Sequence, residues 1–68
     1  MPNLELLKST ITAAGITKNA LADKCGFTRQ TLDNKLEGKS EFKASEIMLV
    51  SLALHLNIKE RDAIFFGG

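Results

Sequence analysis

An all-α fold, a compact bundle of five short helices, is what the sequence predicts, and three observations predict it. The only proline is Pro2, so nothing beyond the start of the chain interrupts a helix. Gly15, Gly26 and Gly38 stand eleven and twelve residues apart. Each follows a segment of helical periodicity, where a left-handed C-terminal cap favours glycine. No segment alternates apolar with polar residues as a half-buried strand does, and no Asn-Gly hairpin turn occurs.

The first helix is expected from about Asn3 to Ala14. Asn3 caps it, Glu5 suits its positive end, and Leu4, Leu7 and Ile11 form one apolar stripe. Thr17 caps a second helix, Lys18 to Cys25, with Leu21, Ala22 and Cys25 inward, and Gly26 ends it. Thr28 caps a third, Arg29 to Glu37, with Leu32 and Leu36 inward at i,i+4 spacing, before Gly38. The fourth is expected from about Ala44 to Leu56. Phe42 and Ile47 are spaced as a hydrophobic staple around Lys43 at the cap, with Glu46 at the third helical position. Its body is apolar nearly all round, the pattern of a helix that is central to the core or shares one face with a partner. A fifth helix, about Lys59 to Phe65, returns Ile64, Phe65 and Phe66 to the fourth.

A chain of 68 residues buries only about 60% of the surface it exposes when unfolded. That leaves one domain over residues 1–68 and excludes the layered sheets of larger enzyme folds. A 44% hydrophobic content excludes a disordered tail. The one cysteine, Cys25, cannot staple the fold, whereas a small secreted domain carries an even set; a reducing cytoplasm is the expected setting. The opening MPNLELLKST has no basic segment followed by an apolar one, so no signal peptide is expected. The longest apolar stretch, Ile47 to Leu56, is broken by Ser51 and His55 and is too short for a bilayer.

No catalysis, metal or cofactor is expected. Zinc takes about four ligands, which one cysteine and one histidine cannot supply. Cys25 takes a core position, and His55 is expected half-exposed near the end of the fourth helix, favoured by its dipole. Nine basic against eight acidic residues give a net charge of +1, which by itself does not imply nucleic acid.

The informative stretch is Thr17 to Lys39, TKNALADKCGFTRQTLDNKLEGK. Two short helices separated only by Gly26, Phe27 and Thr28 must cross steeply, the helix-turn-helix arrangement, here over residues 17–38. Close packing at the crossing needs a small residue, Ala22. The turn needs one that tolerates positive φ, Gly26. Leu21, Cys25 and Leu32 supply the apolar contacts between the two helices.

With those residues in place, the segment resembles the helix-turn-helix of the phage repressor/Cro-type transcriptional regulators, a lambda repressor-like DNA-binding domain. Leu21-Ala22, Gly26 and Leu32 stand where that family has its Leu-Ala pair, its turn glycine and the first core residue of its recognition helix. The runs KLEGKSEF and ERDAIFF are similar to small regulators of temperate phages of Gram-positive bacteria. Three positions depart from the family pattern: Lys35 replaces an apolar residue, Lys18 a glutamine, and Lys43 a hydroxyl cap. The resemblance implies a sequence-specific regulator that binds operator half-sites in double-stranded DNA as a homodimer, with neither membrane nor small-molecule ligand.

With Leu32 and Leu36 inward, Arg29, Gln30, Asp33 and Asn34 point outward as the base-contacting set. Arg29 matches guanine and Gln30 adenine, with Asn34 one turn later. A merely solvated polar face is the plain alternative. Against it, a cation in the first turn opposes the helix dipole, and Arg29–Asp33 runs in the less favourable order. Asp33 is expected to hold or shield Arg29 until a base competes.

Phosphate contacts are expected from Lys18, where free backbone N–H groups also favour anions, and from Thr28, Thr31, Lys35, Lys39, Ser40 and Lys43. Between Thr17 and Lys43 six basic residues (Lys18, Lys24, Arg29, Lys35, Lys39, Lys43) face four acidic ones (Asp23, Asp33, Glu37, Glu41), a surplus of +2 that leaves −1 elsewhere. Phe65 and Phe66 are more often core than partner surface, but with Ile64 at a chain end and the apolar fourth helix they also form a candidate dimer patch. The second hypothesis is a protein-interaction module of the same fold, an antirepressor or antitoxin, which the weak positive charge and the acidic Asp33 and Glu37 keep open.

Overall fold

Side-chain caps start four of the five helices in the computed structural model, which describes residues 2–67. The helices are α1 (Leu4–Ala14), α2 (Lys18–Cys25), α3 (Arg29–Leu36), α4 (Ala44–Ala53) and α5 (Ile58–Phe65), with no strand among the described residues. The expected caps form: Asn3, Thr17 and Thr28 accept from the N–H groups of Leu6, Ala20 and Thr31 at 3.0, 3.1 and 3.1 Å. Asn57 adds one that the periodicity does not announce. Its Oδ1 accepts from Glu60 N–H at 2.8 Å while Glu60 Oε1 accepts from Asn57 N–H at 2.9 Å, a reciprocal capping box. α5 therefore begins at Ile58, one residue before the expected Lys59. Lys43 has no oxygen to offer, and α4 opens instead on Glu46, whose Oε1 accepts from Lys43 N–H at 2.7 Å.

α4 ends three residues short of the expected Leu56. His55 takes a left-handed conformation at φ +55°. Its N–H donates to Leu52 O at 3.2 Å and that of Leu56 to Ser51 O at 2.9 Å, a Schellman ending built on a residue other than glycine. α3 likewise stops at Leu36, one residue before the expected Glu37, with Gly38 at φ +80°.

One core joins all five helices: Leu7 and Ile11; Leu21, Ala22 and Cys25; Leu32 and Leu36; Ile47 and Val50 with Leu54; Ile64 and Phe65. α2 packs on α3 and α4, α1 on α3 and α5, and α4 on α5. Asn3 N–H donates to Ile64 O, which ties the start of the chain to α5. Two of the three residues expected in a dimer patch are thereby corrected. Ile64 and Phe65 are buried, Phe65 edge-on against Phe42 at 5.3 Å between centroids, and only Phe66 reaches the surface. α4 puts Ile47 and Val50 into the core and leaves Met48 and Leu52 exposed. No helix among the described residues is long and apolar enough to cross a membrane.

Candidate functional site

The turn between α2 and α3 decides which side of α3 faces out. Gly26, at φ +72°, donates its N–H to Asp23 O at 3.2 Å, and Phe27 N–H donates to Ala22 O at 2.8 Å. This ends α2 and delivers the chain to Thr28, the cap of α3, with no spare residue. Thr28 Oγ1 also lies 2.9 Å from Thr31 Oγ1, so the two hydroxyls share a hydrogen bond. Leu32, Lys35 and Leu36 then point inward. Arg29 and Gln30 are exposed, and Asp33 and Asn34 half-buried, on the outward side.

The four expected base-contacting residues are brought together and hydrogen-bonded in pairs one turn apart. Arg29 Nε donates to Asp33 Oδ2 and Oδ1 at 3.2 and 3.3 Å, the expected hold on Arg29. Gln30 Nε2 donates to Asn34 Oδ1 at 3.0 Å. Lys18 brings its ammonium within 3.9 Å of Asp33 from the first turn of α2. A further partner is Asn19, whose Oδ1 accepts from Arg29 Nη1 at 3.0 Å. Nothing in the spacing signals Asn19, because the contact spans two helices and ten residues.

Of the expected phosphate contacts, Lys18, Thr28, Lys39, Ser40 and Lys43 are exposed and Thr31 is half-buried. Lys39 lies 3.9 Å from Glu37 in solvent. Lys35 is a correction. It is 6% exposed, with Nζ 3.0 Å from Glu46 Oε1 and donating to Glu41 O at 2.9 Å. The same ammonium lies over the Phe27 and Phe42 rings, 5.4 and 5.7 Å from their centroids. Lys35 occupies the inward position itself: its alkyl stem replaces an apolar residue, and its charge is neutralised inside the protein. It has no reach to a phosphate.

Two groups are electrostatically displaced. The Lys43 backbone N–H, and after it the Lys35 ammonium, hold the Glu46 carboxyl below the usual glutamate range, against an opposing effect of burial. Burial, and then the Glu46 charge, push the Cys25 thiol up, so it stays protonated and is a poor nucleophile.

A second surface lies on α4 and α5. Met48, Leu52 and Ile58 line a hollow of about 200 Å³ bordered by Arg61, whose guanidinium carbon sits 5.9 Å from the ring centroid of Phe66. Leu52, Ile58 and Phe66 are 70%, 68% and 63% exposed, large apolar side chains left in solvent on these two helices and at the end of α5. Comparison of the chain with protein-family models, with curated proteins and with solved structures finds no match.

Proposed function

We propose that this chain is a sequence-specific double-stranded DNA-binding transcriptional regulator, a Cro-like or repressor-like phage or prophage protein acting in the cytoplasm. The observation that carries the reading is the outward face of α3, where Arg29, Gln30, Asp33 and Asn34 are held in two ordered i,i+4 pairs. Bidentate groups at the start of a helix that follows a tight turn suit the edges of bases in the major groove. Ordering before binding lowers the entropy lost on contact. Lys18, Thr28, Thr31, Lys39, Ser40 and Lys43 supply the phosphate contacts around it. Two copies join through Met48, Leu52, Ile58 and Phe66, place two α3 helices on two half-sites, and occlude a promoter.

The same apolar surface, with Asp33 on α3 and Glu37 just past its end, favours the second reading, an antirepressor or antitoxin whose main partner is another protein. Titration against duplex DNA from upstream of the gene, at several salt concentrations, separates the two. Selective binding that falls at least about fivefold in Arg29→Ala and in Gln30→Ala is expected, about 1–3 kcal/mol for each lost base contact. Binding no tighter than to random DNA overturns the first reading. Sedimentation with Leu52→Glu beside the wild type checks the dimer, and a wild type that stays monomeric on DNA removes that part.

A further inference from the structure

Arg29 is half exposed, yet it is held from two helices at once. Nε is bonded to Asp33 of α3, and Nη1 to Asn19 of α2. Such bonds in solvent contribute little stability, and immobilising a long side chain costs entropy. The geometry does something more specific. A guanidinium is a rigid plane with five N–H donors, so anchors on two of its nitrogens fix the orientation of the whole plane. With one donor given to each anchor, three remain, and Nη2 keeps both of its own. Guanine shows two acceptors side by side in the major groove, whereas adenine puts a donor beside its acceptor. A donor edge oriented in this way matches the first and opposes the second.

We infer that Asn19 is a specificity-determining positioning residue, which together with Asp33 turns Arg29 from a mobile cation into a reader of a single guanine. Asn19 suits this role because its amide oxygen accepts without bringing a second negative charge to the guanidinium. The inference rests on the DNA-binding reading above. It differs from that reading in what it requires of Asn19→Ala: a loss of discrimination at one base pair, and no general loss of affinity.

The test uses the full chain and a randomised pool of duplex DNA. The wild type enriches a site, and Arg29→Ala identifies the base pair that Arg29 reads. At that pair Asn19→Ala is expected to lower the preference for guanine about fivefold, the cost of ordering one long side chain on binding. Discrimination at the other pairs and the salt dependence stay those of the wild type. In the free protein, the heteronuclear NOE of Arg29 Nε–H is expected to fall in Asn19→Ala, a readout that needs no DNA. Unchanged discrimination, an even loss at every position, a changed salt slope or an unchanged NOE each overturns the assignment. A wild type that enriches no sequence overturns the DNA-binding reading itself, and does so before Asn19 is altered.

Discussion

Lys35 is the residue whose surroundings matter most to its charge. A buried ammonium is tolerated only with partners, and here Glu46, the Glu41 carbonyl and two aromatic faces provide them. Removing one member of such a pair leaves the other partly desolvated. Lys35→Ala is therefore expected to lower stability by about 3 kcal/mol, measured by urea unfolding. The double variant Lys35→Met, Glu46→Gln keeps the volume and still offers an acceptor to Lys43 N–H, so it should lie within about 1 kcal/mol of the wild type. His55 stands at the other extreme, exposed and in a backbone conformation that suits glycine. His55→Gly should raise stability by about 1 kcal/mol, or about 4–8 °C in a thermal melt, because the left-handed penalty disappears.

At the scale of elements, the start of α4 is a junction held by a titratable group. Glu46 satisfies the Lys43 N–H and also neutralises Lys35, so one carboxylate holds the beginning of α4 to the last turn of α3. Its folded-state pKa is lowered, so the stabilisation is complete above the ordinary glutamate value of about 4.3. It is lost as the pH falls through the lower folded-state value, because the unfolded chain binds the proton first. Denaturant midpoints measured from pH 6 downward should therefore drop at acid pH, and the drop should be shallower in Glu46→Gln. The helix ends themselves divide by legibility. Asn3, Thr17 and Thr28 are readable because a capping oxygen directly precedes an amphipathic stretch. The end of α4 is not, since the run continues apolar through Leu56 and only the backbone turn at His55 stops it.

At the scale of the molecule, a net charge of +1 makes base contacts the expected source of selectivity and the lysines the source of salt dependence. With Lys35 withdrawn into the core, Lys18, Lys39 and Lys43 remain as the cations of the proposed phosphate contacts. A dimer then presents about six, for a log–log salt slope of about −5. Lys39→Ala should reduce that slope by about 2 per dimer, and Lys35→Met should leave it unchanged; titrations between 50 and 200 mM salt, roughly the range over which such contacts are lost, check both. The exposed apolar side chains of α4 and α5 lie on elements other than α3, so the proposed joining of two copies uses no residue of that helix.

By itself the sequence determines the five helices, most of their caps and the inward stripes of α1, α2 and α3. These are local matters, set by side chains three and four residues apart and by glycine at the turns. It also separates the outward residues of α3 from the inward ones, because Leu32 and Leu36 orient that helix. Tertiary structure decides what depends on another helix. It takes Lys35 away from solvent by supplying Glu46, Glu41, Phe27 and Phe42, places Ile64 and Phe65 in the core through Phe42 and the start of the chain, and brings Asn19 to Arg29. Polarity along a helix says which residues prefer water. Only the packing of one helix on another says which charges find a partner out of it.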